Sequence, residues 1–198
     1  VTERIRLGGE PISETGFGDA LGDVFRAIDA YQLETPTWFE SVTAAALLAF
    51  ANEAVDVAVV EVGMLGRFDA TNVVHARVAV VTNVDRDHTS GEGDWKAAIA
   101  SEKAGIVEPD STLVLGVTDD DLIPIFLAEG AARTVLRGAD FELTDDRLAV
   151  GGRLVGVRTP RGLYDEVFVA LHGSHQAENA AIALTAAEEF FDAPLPDD

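Results

Sequence analysis

The chain is 198 residues long and carries 14 Lys and Arg against 35 Asp and Glu, a formal net charge of −21 at pH 7. Its 47% hydrophobic and 25% charged residues describe a globular chain of about one domain rather than a disordered one. The acidity argues against a nucleic-acid binder or a protein docked on an anionic membrane, the absence of cysteine excludes disulfides, thiolate metal sites and cysteine nucleophiles, and no apolar run reaches the 18 or so residues of a bilayer span.

These limits describe a soluble, acidic, cytoplasmic protein. Only two of the 14 basic residues are lysines, Lys96 and Lys103, which draws attention to both.

Phe17, Leu21, Val24, Phe25 and Ile28 recur at helical spacing and predict a helix over 13–31. After Pro36, residues 37–53 read as a second, largely buried helix. The run VDVAVVEV, residues 55–62, is short and β-branched, as expected of a parallel strand covered on both faces. A Gly-containing loop, 63–72, follows it, and a further strand over 78–82 ends at Asn83.

Residues 94–103 read as a helix stopped by Gly105. A strand over 112–116, a helix over 119–129 and a strand over 134–136 continue the alternation, so an open α/β sheet, mostly parallel and flanked by helices, is expected. Between 138 and 171 the pattern changes to short alternating runs. These predict a small antiparallel appendage with turns at Asp145–Asp146, Gly151–Gly152 and Arg161–Gly162. A helix over 173–191 closes the chain.

Ligands in such sheets sit beyond the carboxyl ends of the strands. Glu61 ends the first expected strand, Asp85, Asp87 and His88 follow the second, and Lys103 ends the next helix. Each has a plain structural explanation: a solvated strand end, a turn residue, a cation on a helix dipole. A Glu and a His meeting at adjacent strand tips could instead hold a cation against phosphates. Oxygen donors favour magnesium, and the His would better suit zinc or manganese.

Six segments change that balance: TERIRLGGEPIS, PTWFE, EVGMLGRFDATN, TNVDRDHT, SEKAGIVEP and HGSHQAENAAIAL. In this order they resemble the central domain of folylpolyglutamate synthase, often bifunctional with dihydrofolate synthase, within the Mur-ligase superfamily. The resemblance implies a P-loop-NTPase-like central domain over 1–198, with 138–171 as a β subregion. It implies ATP-dependent addition of L-glutamate to a folate or dihydropteroate through an acyl phosphate. It assigns Mg²⁺ to Glu61 and His88, makes Lys103 a carbamylated lysine at the same metal centre, and makes Lys103 and His88 the catalytic residues. Thr37, Phe39, Asp69 and Ala70 become substrate contacts, and His175 and Asn179 face the nucleotide.

Leu65 stands where the family usually has a glycine, which puts close backbone approach there in question. The family's phosphate loop and C-terminal domain have no counterpart in these 198 residues, so the chain reads as a fragment, inactive by itself. A Mur-type or cyanophycin-type ligase and a catalytically silent binding module are the rival readings. Three geometric expectations follow. Residues 55–62 and 78–82 should be parallel neighbours that bring Glu61 to His88. Lys103 should share the buried stripe of Ile99, four residues earlier, with Glu102 exposed. Lys96 should be dispensable.

Overall fold

The protein is described by a computed structural model covering residues 1–85 and 94–196. It divides into two compact units, Val1–Met64 with Asp69–Val73, and Leu65–Phe68 with everything from Val74 onward.

The first unit opens on a 3-10 turn, Thr2–Arg4, and a small antiparallel hairpin of β1 (Arg6–Leu7) and β2 (Glu10–Pro11). Helix α1 (Glu14–Tyr31) starts where the Ser13 hydroxyl accepts the Gly16 N–H at 3.0 Å. Helix α2 (Trp38–Asn52) starts on a capping box: Thr37 Oγ1 accepts the Glu40 N–H at 3.3 Å, and Glu40 Oε2 accepts the Thr37 N–H at 2.6 Å. Ile5 and Ile12 around the hairpin, Ala20 of α1, and Val42, Ala45 and Ala49 of α2 form the core. Phe17, Leu21 and Val24 pack on it as their spacing predicts, while Phe25 faces outward.

Residues 55–62 overturn the expectation of a strand. They have no regular structure and join no ladder among the described residues, and Val59 is 91% exposed. β-branched composition favours an extended chain, but a strand exists only where a neighbour supplies the ladder. The expected pair of parallel strands therefore has one member, and Glu61 sits in an exposed irregular segment.

The second unit holds β3 (Val78–Val81), α3 (Trp95–Ala104), β4 (Thr112–Leu115), α4 (Ile123–Leu127) and β5 (Arg133–Leu136). The strands form a parallel sheet in the order β3-β4-β5, with Val78 opposite Thr112 and Thr112 opposite Arg133. Helix α4 is shorter than the expected 119–129. The Asp119 carboxylate accepts the Asp121 N–H at 3.2 Å, which holds a turn before the helix, and Pro124 lies in its first turn.

An antiparallel sheet follows: β6 (Glu142–Ala149), β7 (Gly152–Arg158) and β8 (Leu163–Val169), in that order. The expected turn at Asp145–Asp146 is instead the middle of β6, just past a register shift between Leu143 and Asp145. Asp145 and Asp146 pair with Gly156 and Val155 of β7, and Arg153 of that strand reaches Asp146 at 2.5 Å, so cross-strand pairing overrides the turn propensity of the two acids. The other two turns lie where expected.

Helix α5 (Ser174–Phe191) packs Ala177, Ala181 and Ile182 on Val114 and Val135 of the parallel sheet and on Phe141, Val155, Val157 and Tyr164. The alternate strand residues Ala79, Val81, Leu113 and Leu115 point the other way, onto Ala100 and Ala104 of α3 and Phe126 of α4. Helices thus cover both faces of the parallel sheet. Among the described residues no helix is long and apolar enough to cross a membrane.

Candidate functional site

A parallel ladder leaves its last carbonyls and the loops beyond them at one edge, where the flanking helices part. In the second unit that edge carries a cleft of about 530 Å³, lined by Thr82 and Asn83 after β3, Gly116–Asp119 after β4, Arg137 after β5, Lys96 of α3 and His175, Glu178 and Asn179 of α5. Two ion pairs flank it. Lys96 Nζ lies 3.4 Å from Asp119 Oδ2, and Arg137 Nη1 lies 2.9 Å from Glu178 Oε2.

Glycines shape the cleft. A Cβ on Gly116 would fall 2.4 Å from the Thr82 carbonyl oxygen and 2.5 Å from Ile182 Cδ1, so only glycine lets the two strand tips and α5 close up. Gly173 (φ +102°) caps α5, and a Cβ there would lie 2.5 Å from the His175 ring. His175 and Asn179 are both exposed on the first turns of α5, and Asn179 Nδ2 donates to Gln176 Oε1 at 3.4 Å. The two residues assigned to the nucleotide therefore line one cleft. Lys96, expected to be dispensable, lines it too. Asp119, Arg137 and Glu178 escaped the sequence reading, although their positions just past strand tips or on the first turns of α5 were a usable signal.

Lys103 lies half-buried in the last turn of α3, on the stripe of Ile99, which is buried. Glu102 is half-buried rather than exposed. The loop segment 65–68 crosses this helix end. A Cβ on Gly66 would lie 2.8 Å from the Glu102 carbonyl oxygen and 3.2 Å from that of Lys103. Leu65, at the family's glycine position, holds φ +61°, the left-handed region where a side chain is strained.

In the first unit the structure brings Phe39, Gly63 and Asp69 together. The Phe39 ring lies over Gly63, where a Cβ would come within 2.2 Å of its Cζ. The Asp69 carboxylate accepts the Met64 N–H at 2.8 Å, the Thr71 N–H at 2.9 Å and the Thr71 hydroxyl at 2.6 Å. Partial burial would raise its pKa, but these bonds and one from the Gly63 backbone outweigh that and hold it below the usual carboxylate range. Ala70 opens the 3-10 turn Ala70–Val73 beside it. Thr37 spends its hydroxyl on the cap of α2.

His88 and Asp87 lie outside the described residues. Among the described residues no group of three His, Cys, Asp or Glu side chains could enclose a metal ion. Glu61 offers one carboxylate. That donor set suits Mg²⁺, which takes one or two carboxylates and fills its shell from phosphate and water.

The Mur ligase middle-domain family model matches residues 24–187. The dihydrofolate synthase/folylpolyglutamate synthase of Mycobacterium tuberculosis is 37% identical over 96% of this chain and 43% of its own length. Among solved structures, M. tuberculosis folylpolyglutamate synthase (FPGS) complexed with ADP superposes with a TM-score of 0.93 at 37% identity, covering 100% of this chain and 47% of that one. An FPGS–AMPPCP–folate complex reaches 0.89 at 30% identity, covering 100% of this chain and 50% of that one. The chain thus spans less than half the length of the curated relative.

Proposed function

The chain belongs to the Mur ligase family through its middle domain, and on that premise we propose that the protein carrying it is an ATP-dependent ligase that adds L-glutamate to a folate or to dihydropteroate. An oxygen of the acceptor's carboxylate attacks the γ-phosphorus of ATP and ADP leaves. The glutamate amine then attacks the acyl phosphate carbon, phosphate leaves, and the amine gives up a proton. The observation that carries the reading is the cleft at the carboxyl edge of β3-β4-β5, whose wall α5 supplies with His175 and Asn179.

In this reading His175 and Asn179 bind the base of ATP. Both are exposed and polar, able to offer a donor and an acceptor edge to a heterocycle. Phe39, with Asp69 and Ala70 beside it and Thr37 at the head of its helix, receives the pterin. The ring supplies a stacking face, and the loop carboxylate is preordered by its own hydrogen bonds. Glu61 and His88 hold Mg²⁺, which when bound offsets charge on the ATP phosphates. Lys103 is the catalytic lysine, acting as a carbamate formed when its neutral amine adds CO₂ and loses a proton. Its half-buried place in the last turn of α3, on the stripe of Ile99, supports this. The protein is cytoplasmic and monomeric in this reading, in keeping with a net charge of −21.

The test is ADP release by the complete protein with ATP, L-glutamate and either dihydropteroate or reduced folate. Turnover that requires both acceptor and glutamate is expected. ATP hydrolysis indifferent to both would overturn the proposal.

A further inference from the structure

The last four carbonyls of any α-helix lack intrahelical partners, and helix ends fray where nothing else binds them. Helix α3 has ten residues, too short to be stable by itself, and Lys103 sits one residue from its end. The chain just past the helix binds three of these carbonyls, Gly105 N–H to Glu102 at 3.2 Å, Ile106 N–H to Lys103 at 3.4 Å and Val107 N–H to Ala104 at 2.9 Å. Such bonds are local, and holding the lysine for chemistry calls for a fixture from a distant segment.

Arg67 supplies that fixture. Its backbone N–H donates to the Glu102 carbonyl at 2.9 Å, and its guanidinium donates through Nη2 to the Ser101 carbonyl at 3.1 Å. The same nitrogen is bonded to Glu129 Oε1, two residues past the end of α4. Main chain and side chain of one residue therefore bond two of the last four carbonyls, one of them shared with the Gly105 N–H, and tie this helix end to the segment that follows α4. The fit is tight on both sides. Gly66 presses on the carbonyls of Glu102 and Lys103, and a Cβ on Gly105 would fall 2.4 Å from Arg67 Cβ. Ala104 is fully buried beneath. The backbone of Lys103 is clamped while its side chain stays half-exposed.

We propose that Arg67 is the positioning residue of Lys103: it fixes the last turn of α3 so that the lysine amine is held where the reaction needs it. This rests on the reading of Lys103 as the catalytic lysine. Arginine suits the task because its planar fork can bond a carbonyl and a carboxylate at once, whereas a lysine offers a single flexible ammonium. Misplacement of a catalytic group by about 1 Å can cost on the order of 100-fold in rate.

The experiment uses the complete protein with R67A, R67K and E129Q, where E129Q keeps both carbonyl contacts of Arg67 should R67A fold poorly. Turnover is measured together with the acylation rate of Lys103 relative to Lys96, resolved by peptide mass spectrometry in bicarbonate-free buffer. The expected result is a fall in kcat of about 10–100-fold for R67A with KM for ATP little changed. Its Lys103-to-Lys96 labelling ratio should shift several-fold, R67K should recover part of both, and E129Q should show a smaller change of the same sign. Unchanged kcat and labelling ratio in R67A and E129Q, whatever their melting temperatures, would overturn the inference. Full activity of K103A would overturn the catalytic reading instead, while the labelling ratio would still report whether Arg67 fixes that lysine.

Discussion

Two of the regions that carry the family's motif residues use them in opposite ways. Around residues 37–39 and 63–72 the polar motif side chains are spent on local structure: Thr37 caps α2, and Asp69 closes its loop through three hydrogen bonds. At the cleft, His175 and Asn179 are exposed on the first turns of α5 and leave the shaping of the wall to Gly116 and Gly173. A motif can therefore mark a residue that builds the site or one that faces a ligand. The two kinds separate when stability and binding are measured side by side.

The largest loss of stability is expected for Asp69→Ala, about 2 kcal/mol, because it strands the Met64 and Thr71 donors that the carboxylate satisfies. Chemical denaturation checks it. The same carboxylate gives a pH signature. Its pKa is lowered in the folded protein, so its contribution is present above the unfolded value near 3.9 and is lost as pH falls through the folded value. The acid limb of the stability profile should flatten in the variant, and an unchanged limb would count against it.

Gly66→Ala should cost about 1–2 kcal/mol, since its Cβ meets backbone oxygen at 2.8 Å and the helix end must shift. Full stability of that variant would show the loop can retreat from α3. Thr37→Ala removes one half of a capping box and should cost about 1 kcal/mol, read as a drop in melting temperature.

His175→Ala and Asn179→Ala should change stability least, within about 0.5 kcal/mol, because both side chains are exposed. Their effect should appear in ATP affinity of the complete protein, measured by calorimetry. A stability loss as large as that of Asp69→Ala with unaltered ATP binding would erase the contrast between the two regions.

The sequence by itself determined most of the local structure. The helix stripes of α1, the β-branched runs of β3 and β4, the Gly105 stop and the turn at Gly151 all lie where pattern and propensity put them. It also determined the family, because six motif segments in order leave little room for another reading. What it could not determine depended on partners far along the chain. Residues 55–62 have a strand's composition but no ladder among the described residues, and Asp145–Asp146 have a turn's composition but sit opposite Gly156 and Val155 of β7, with Asp146 paired to Arg153. Lys96 stood out only by its rarity and was expected to be dispensable, and folding places it on the cleft wall with Asp119, 23 residues on. Arg67 drew no notice until it met the end of α3, 34 residues away. Propensity and periodicity are properties of neighbours in sequence. Ladders, ion pairs and helix-end contacts are properties of neighbours in space, and only the tertiary structure supplies those.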